Sequence, residues 1–335
     1  MNKAKTESTL SNNKKLLWIT GSLISLLFIM LLSMKLGSIE ISFKELILGL
    51  ISGKNDGSIG IIKDLRLPRV LVAVFIGANL AIAGVLLQAV MRNPLADPGI
   101  TGISSGASLA AIIVMVFMPE LSNLKPIVAF VGGSIAAFLV YGIAYKNGLS
   151  PIRIVLAGIA INAMLGSMSS ILTVFNSNGT SSIQLWLNGS LASVSWVDVK
   201  MLFVYTIIGI TLSIPLANTC NLMVLGDKTA QSLGVNTTTQ RILISAVAVF
   251  LASVSTGVGG IITFVGLIVP HIARFIIGSD HKYLIPFSGL LGSLLLLSAD
   301  TIGRISVRPY EIPVGLVMSV IGGPFFIYLL RRRKD

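Results

Sequence analysis

The stretch VLVAVFIGANLAIAGVLLQAVM, residues 70–91, decides the fold of this chain. It carries no charged side chain over its whole length, and a helix that long crosses a hydrocarbon core of about 30 Å. Gly77, Ala81 and Gly84 lie inside it, and small residues at such spacings let helices approach closely. The stretch therefore predicts a transmembrane helix that packs tightly against other helices.

The rest of the chain has the same character. Hydrophobic residues make up 54% of it and charged residues 11%, with a mean hydropathy of +0.90, whereas about a quarter of a typical soluble domain is charged. Alternating strand patterns are absent, which disfavours a barrel. We expect an all-α polytopic protein of the cell membrane. The net charge of +12 favours anionic lipid or an acidic partner, and the lack of a soluble basic domain argues against nucleic-acid binding.

Apolar runs recur from end to end and predict about ten transmembrane helices. The predicted spans are 16–36, 69–91, 103–118, 126–145, 153–175, 199–217, 241–256, 260–277, 284–301 and 312–330. The first run is too long for the apolar region of a secretory signal and lacks a cleavage site of small residues. Residues 1–15 are then a cytoplasmic tail, and 16–335 form a single ten-helix domain.

Charge decides the predicted sidedness. An even number of spans places both termini on one side, and basic residues at both ends of the chain mark that side as the cytoplasm. The overall bias of lysine and arginine toward the cytoplasmic side is weak, because the first loop and its edges also carry several. The alternative is that this loop lies on the other side.

Two regions leave alternatives open. Glycines at 257, 259 and 260 interrupt the run 242–269, so two spans that meet at a glycine turn compete with one tilted helix. The loop 175–199 is apolar enough to lie in the membrane interface or to form a short half-helix, with Trp186 and Trp196 as interfacial anchors.

A polar segment interrupts the apolar pattern at LGDKTAQSLGV, residues 225–235. It predicts a short helix in which Asp227 is the N-cap, Ala230 and Leu233 share one face, and Gly234 takes the left-handed position after the last turn. A soluble partner docking on this helix competes with a plain connecting loop.

Catalytic chemistry is not evident in the sequence. The single cysteine, Cys220, and two histidines predict no metal site, and no nucleophile–base pair or cofactor motif stands out. Asp300 and Glu311 are the acidic residues nearest to mid-membrane, and both fall near external span ends. No relay for ion-coupled transport and no GxxxxGK[ST] loop occur. A transport path driven by another subunit is therefore favoured over a secondary transporter, a channel or a membrane enzyme.

Several motifs resemble the FecCD family of ABC importer permeases, which move iron-siderophores, haem and vitamin B12. In family order they are LRLPR at 65–69, NPLADPGITGISSGA at 93–107, LGDKTAQSLGV at 225–235, FVGLIVPHIAR at 264–274, RPYEIPVG at 308–315 and IGGPFF at 321–326. The resemblance covers nearly the whole chain. It implies ten helices per subunit, a pair of permeases and two ATPase subunits that hydrolyse ATP, the permease itself being no enzyme.

The resemblance also implies roles for particular residues. The segment 225–235 matches the coupling helix that docks on the ATPase, and three arginines match those that grip an extracytoplasmic solute-binding protein. Two loops match the cytoplasmic gates, although Pro151 departs from the small hydroxyl residue expected there. The coupling residues are Leu225, Gly226, Asp227, Ala230, Leu233, Gly234 and Val235; the docking residues are Arg66, Arg69 and Arg304; the gate residues are Asn93, Leu95, Ser150 and Pro151.

The resemblance leaves the substrate and the pairing open. Ferric siderophore is the first candidate, with haem and vitamin B12 as alternatives. The second permease is either another copy of this chain or a sister protein.

Overall fold

Helices are the regular secondary structure over the residues described by the computed structural model, which are 11–37, 42–45, 49, 57–99, 101–146, 149–175, 180–307 and 309–332. Within them, β pairing is limited to two isolated bridges. The predicted N-terminal tail before residue 11, Lys54, Arg308 and the last three residues lie outside the described ranges. The all-α prediction is confirmed for the part of the chain that is described.

Thirteen helices are named here in chain order. They are α1 (Asn12–Lys35), α2 (Leu67–Met91), α3 (Ile103–Phe117), α4 (Lys125–Ala144), α5 (Pro151–Phe175), α6 (Thr180–Leu187), α7 (Trp196–Ser213), α8 (Ala217–Val224), α9 (Asp227–Ser232), α10 (Thr237–Gly259), α11 (Val265–Ile277), α12 (His281–Ile305) and α13 (Val314–Arg332). Two helical turns, Gly57–Ile61 and Ile62–Arg66, lead directly into α2.

Within the described ranges, seven helices are long and apolar enough to cross a membrane, and three more are apolar but shorter. The seven are α1, α4, α5, α7, α10, α12 and the segment Ile59–Met91, which contains α2; the shorter three are α3, α11 and Val314–Leu329 within α13. Each coincides with one predicted apolar run. The alternative of one tilted helix over 242–269 is wrong, because α10 ends at Gly259 and α11 begins at Val265.

Helix α2 forms the centre of the bundle and packs against α12, α10, α7 and α11. A Cβ atom at Gly77 would lie 2.3 Å from the carbonyl oxygen of Gly292, and one at Gly84 would lie 2.0 Å from that of Gly266. The predicted close packing of α2 is therefore confirmed. In α5, by contrast, a Cβ at Gly166 would meet open space.

The loop between α5 and α7 contains the short helix α6, as one of the two interpretations predicted. Trp186 in α6 is buried and packs with Ile183, Ile112 and neighbouring alanines. The prediction that Trp186 anchors in the interface is wrong, because its ring fills a small core cluster. Trp196 is partly exposed and donates its indole N–H to the carbonyl of Lys63 at 3.1 Å.

The bundle has two ends, which we name after one residue each. Arg69 lies in the first turn of α2 and defines the Arg69 end; Asp227 lies beside Arg92, just past the last turn of α2, and defines the Asp227 end. Helix α1 finishes at the Arg69 end, because the carbonyls of Ser33 and Met34 accept bonds from Arg304 and Arg66.

The two described termini lie at the same end of the bundle. Lys15, near the start of α1, lies 4.5 Å from the centroid of the Tyr283 ring in the first turn of α12, next to Asp280 and its partner Asn221 of α8. Helix α13 starts just after Glu311, which lies at the Arg69 end, and runs away from it. Both described termini therefore belong to the Asp227 end.

An additional short helix, α8, carries Cys220, which is fully buried. The sequence predicts a single span over 199–217 followed by the polar segment. The structure instead places a turn at 214–216 and then α8, which packs on α2 and α12. Helix α8 connects the membrane-spanning α7 to the polar segment 225–235.

Candidate functional site

The polar segment 225–235 forms a short helix, as predicted, but it begins differently. Gly226, with φ of +105°, takes the N-cap position, and α9 starts at Asp227. The prediction that Asp227 is the N-cap is wrong because its carboxylate is bound elsewhere. One oxygen lies 2.9 Å from a guanidinium nitrogen of Arg241, and the other lies 3.5 Å from Arg92.

The two residues predicted to share a face of α9 have opposite surroundings. Ala230 is fully buried against the chain, whereas Leu233 is 57% exposed. Leu225, just before the helix, is also exposed. Gly234 has φ of +83° and takes the predicted left-handed position, and Val235 is half-buried, with its N–H donating to the carbonyl of Ala230 at 3.0 Å. The segment therefore presents two leucines outward from a polar stretch.

The two predicted gate loops lie at the same end as this segment. Asn93 and Leu95 follow α2 directly and are half-buried, and the amide oxygen of Asn93 accepts the N–H of Leu95 at 3.0 Å. Ser150 and Pro151 are half-buried at the start of α5, where Pro151 is the first helical residue. Proline suits that position because the N–H there has no intrahelical acceptor.

Arg241 contacts both gate loops and α9, although the sequence did not single it out. It is buried in the second turn of α10, and its guanidinium reaches the carbonyls of Val90 and Leu149 as well as Asp227. The sequence signal for it is a lone arginine near the start of a helix that has no other charged residue.

At the opposite end, Arg69 forms a buried ion pair. Its Nε and Nη2 atoms donate to the carboxylate of Asp300 at 3.0 Å, and Nη1 donates to Glu311 at 2.6 Å. Asp300 is buried, while the Glu311 side chain is 41% exposed. The two acidic residues noted in the sequence therefore both bind one of the three predicted docking arginines.

The other two predicted docking arginines lie beside this pair. Arg66 donates to the carbonyl of Met34 at 2.9 Å, and Arg304 donates to the carbonyl of Ser33 at 2.5 Å. All three arginines, together with Glu311, line an open cavity of about 630 Å³ at the Arg69 end. Among the described residues at this cavity, three guanidinium groups are set against the two carboxylates of Asp300 and Glu311.

A second cavity, of about 390 Å³, lies beside the loop after α2. Asp97, Asn162 and Phe264 are among its lining residues. Asp97 is buried and accepts the N–H of Gly99 at 2.8 Å, and Ser105 hydrogen-bonds to Asn162. Asp97 gave no signal in the sequence, because it lies in a loop rather than in an apolar run.

Asp280 joins α8 to the start of α12 at the Asp227 end. Its carboxylate accepts the N–H of Lys282 at 3.0 Å and the amide of Asn221 at 2.9 Å. Burial raises the pKa of Asp280, but these hydrogen bonds and nearby positive charge outweigh burial, so that its pKa lies below the usual range. The carboxylate is therefore ionised at neutral pH and caps α12.

Within the described ranges, no group of three or more histidine, cysteine, aspartate or glutamate side chains is arranged to hold a metal ion.

Comparison with solved structures gives a match over nearly the whole chain. A metal-chelate type ABC transporter in an inward-facing conformation superposes with a TM-score of 0.81 at 28% identity, covering 94% of this chain and 98% of that one. PsaBC from Streptococcus pneumoniae, solved with a Fab, gives a TM-score of 0.58 at 18% identity over 80% of this chain and 92% of that one, and supports the fold alone.

Sequence relatives match over the same length. The Fe(3+)-citrate import system permease protein YfmD of Bacillus subtilis (strain 168) is 38% identical over 324 residues, 97% of either chain. The probable heme-iron transport system permease protein IsdF of Staphylococcus aureus (strain MSSA476) is 38% identical over 321 residues, 96% of this chain and 97% of that one. The FecCD transport family matches residues 25–332. The chain therefore belongs to the FecCD transport family.

Proposed function

We propose that this protein is the permease subunit of an ATP-driven importer in the cell membrane and that it carries an iron chelate. The observation that carries this proposal is the 38% identity to an Fe(3+)-citrate permease over 97% of both chains. An iron-siderophore is the substrate class we favour. Haem is the second candidate, since an equally similar relative is a probable heme-iron permease.

The ten apolar helices are proposed to be ten transmembrane spans with both termini in the cytoplasm. The seven long and three shorter apolar helices support this number. The basic residues near both termini support a cytoplasmic location. The Asp227 end is then cytoplasmic, and the Arg69 end faces the outside.

The segment 225–235 is proposed to dock on a separate ATPase subunit, which hydrolyses the ATP. The exposed Leu225 and Leu233 support this, because they are apolar side chains at the cytoplasmic end of the bundle. Gly226 and Gly234, with positive φ on either side of α9, set its angle to the rest of the chain. Ala230 and Val235 hold the helix onto the permease.

The cavity at the Arg69 end is proposed to receive acidic residues of a solute-binding protein. Arg66, Arg69 and Arg304 give it positive charge, and arginine pairs with carboxylates in a two-pronged geometry. Arg69 is already bound to Asp300 and Glu311, so its part is to hold the wall of the cavity. Arg66 and Arg304, which also line the cavity, are proposed for direct contact with the binding protein.

Transport then needs no reaction chemistry in this chain. The substrate passes from the binding protein into a path between two permeases, which are two copies of this chain or this chain and a sister protein. The loops at Asn93–Leu95 and Ser150–Pro151 act as gates on the cytoplasmic side. ATP binding and hydrolysis shift the balance between inward- and outward-open states.

The docking of the ATPase is tested with Leu233→Asp. A buried leucine contact contributes about 1.5 to 3 kcal/mol, so this change should lower the affinity for the ATPase subunit by roughly tenfold or more. The measurement is co-purification and titration of the ATPase with the solubilised permease. Ser232→Asp, which adds the same charge at the neighbouring exposed position, is the matched control. Equal affinity in Leu233→Asp and wild type would refute docking at this surface.

The substrate is tested by uptake. A strain lacking this permease should lose uptake of radioactive iron supplied as a ferric chelate and should regain it with the wild-type gene. Comparing ferric citrate, a hydroxamate siderophore and haem separates the candidates. Undiminished uptake of all three in the deletion strain would count against an iron-chelate function.

A further inference from the structure

Arg241 is an arginine with almost no contact with solvent, since only 1% of its side chain is exposed. It lies five residues into α10, counting from Thr237, at the Asp227 end of the bundle. A charged side chain buried this deeply is costly unless every donor finds a partner. Its hydrogen bonds therefore show what offsets the cost of burying its charge.

The partners of Arg241 come from three separate parts of the chain. Nε donates to the carbonyl of Val90 at 3.3 Å, Nη1 donates to the carbonyl of Leu149 at 2.8 Å, and Nη2 donates to the carboxylate of Asp227 at 2.9 Å. Val90 lies three residues before Asn93, and Leu149 directly precedes Ser150. One guanidinium thus holds both predicted gate loops and the first residue of α9.

The carbonyl of Val90 has a physical need for this donor. In a continuing helix it would accept from the residue four positions on, but that residue is Pro94, which has no N–H. The end of α2 also carries partial negative charge from the helix dipole, which favours a cation there. Arg241 therefore caps the C-terminus of α2 where the first gate loop begins.

The second carboxylate oxygen of Asp227 forms a further link to the first gate loop. It lies 3.5 Å from Arg92, the left-handed residue directly before Asn93. The carboxylate of Asp227 is thus linked to the first gate loop by two routes, one through Arg92 and one through Arg241 and Val90. It is linked to the second gate loop through Arg241 and Leu149.

We propose that Arg241 is a positioning residue that transmits the movement of α9 to both gate loops. The inference rests on the proposed function, in which α9 docks on an ATPase. A guanidinium is planar and rigid, so its three acceptors keep fixed positions relative to one another. When the ATPase displaces Asp227, Arg241 carries the carbonyls of Val90 and Leu149 with it, and both gates move together.

The test uses Arg241→Lys in the complete complex of permeases, ATPase and binding protein in proteoliposomes. Lysine keeps the charge but has a single ammonium group in place of the three-way fork. We expect ATP hydrolysis to stay within about twofold of wild type and substrate transport to fall by about tenfold, because only the linkage is lost. The ATP hydrolysed per substrate transported therefore rises.

Arg274→Lys is the matched control. Arg274 is a half-buried arginine at the same end of the bundle, where it donates to Gln88 on α2 at 2.5 Å. Its substitution should lower stability without changing the ratio of ATP hydrolysed to substrate transported. If Arg241→Lys behaves in the same way, Arg241 has only a structural role and the proposal is wrong. If the wild-type complex itself neither hydrolyses ATP nor transports, the proposed function fails instead.

A second measurement does not depend on transport. It tests the proposal even if Arg241→Lys fails to form a transport-competent complex. Spin labels at Lys228→Cys in α9 and Lys146→Cys before the second gate loop, both exposed, are placed in a Cys220→Ser background. In the wild-type linkage, the distance between the two labels should keep a narrow distribution in every nucleotide state. Arg241→Lys should broaden this distance distribution. Asp227→Asn, which leaves both carbonyl bonds of Arg241 in place, should broaden it less. An unchanged distribution in both variants would overturn the proposal.

Discussion

At the scale of single residues, two buried arginines connect distant parts of this chain. Arg69 joins α2 to Asp300 in α12 and to Glu311 before α13, and Arg241 joins α10 to α9 and to two loops. Each is far from its partners in sequence. The cost of burying each charge is offset only if all of its partners stay in place.

Removal of the partner of Arg69 should therefore be strongly destabilising. Asp300→Asn leaves a buried guanidinium without its main counter-charge, which costs about 3 kcal/mol or more. Thermal unfolding of the solubilised permease should show a clear drop in Tm. Glu311→Gln is the comparison, and it should cost much less because the Glu311 side chain is 41% exposed.

A double variant sharpens this test. Arg69→Met combined with Asp300→Leu removes both charges together and should be more stable than Asp300→Asn alone. If the double variant were less stable than Asp300→Asn, the pair would owe its contribution to packing rather than to charge.

At the scale of elements, glycines fix how the helices meet. Gly260, between α10 and α11, has φ of +73° and ψ of −162°, a region that other residues almost never occupy. A Cβ there would lie 1.8 Å from the carbonyl oxygen of Trp186 at the end of α6. Gly234 after α9 also has a positive φ, but a Cβ there would meet open space.

These two glycines should respond differently to alanine. Gly234→Ala should cost about 1 kcal/mol from backbone strain alone. Gly260→Ala adds a steric clash with the α6 backbone, so the sum should reach roughly 2 to 5 kcal/mol. The fraction of each variant that elutes as a folded peak in detergent, together with its Tm, measures the difference. Equal losses in the two variants would contradict the close approach of α6 and α10.

Much of the architecture could be predicted from the sequence, because the pattern of apolar runs reports directly on helices in lipid. The runs located every long apolar helix of the described ranges, and the glycines at 257, 259 and 260 correctly separated α10 from α11. Helix α8 was missed because Ala217–Val224 mixes polar and apolar residues and carries no signal of its own. The buried position of Trp186 was missed because burial depends on which helices lie beside α6.

The sequence indicated where the candidate sites lie along the chain, but not which side chains contact each other there. The segment 225–235 was singled out by its pattern and the arginines at 66, 69 and 304 by family resemblance, and the structure places the two sets at opposite ends of the bundle. That Asp227 binds Arg241 instead of capping α9, and that Arg69 binds Asp300, could not be inferred. Those contacts join residues 14 and 231 positions apart in sequence, and a one-dimensional pattern does not specify such pairs.

At the scale of the whole molecule, the two ends of the bundle differ in charge and in the partner proposed for each. Three arginines line the cavity at the Arg69 end, and the Asp227 end exposes the leucines beside α9. Helix α2 runs between them and is the most buried of the long helices. Helix α2 therefore connects the two ends through its packing against α12, α10, α7 and α11.

Charge reversal at the Arg69 end should weaken binding of the solute-binding protein. Arg66→Glu or Arg304→Glu should lower its affinity by about tenfold at low ionic strength, and the difference should shrink as salt is raised. Titration of the binding protein against the reconstituted permease measures both effects. Lys146→Glu, an exposed change of the same charge at the opposite end, is the control.

Both arginines are nearly buried and bind the last turn of α1, so each variant also needs a folding check. Unchanged Tm with reduced affinity supports the docking surface. Affinity equal to wild type in both reversed variants would remove these arginines from the docking surface.

The burial of Cys220 has a practical consequence for following this protein in time. The single thiol lies in α8, between the membrane-spanning α7 and the segment 225–235. A thiol reagent can reach it only when α8 separates from α2 and α12, so the rate of its modification reports how often this part of the chain opens locally. The wild-type sequence thus contains its own kinetic probe of local unfolding, and that rate can be compared between resting and nucleotide-bound complexes without introducing any label site.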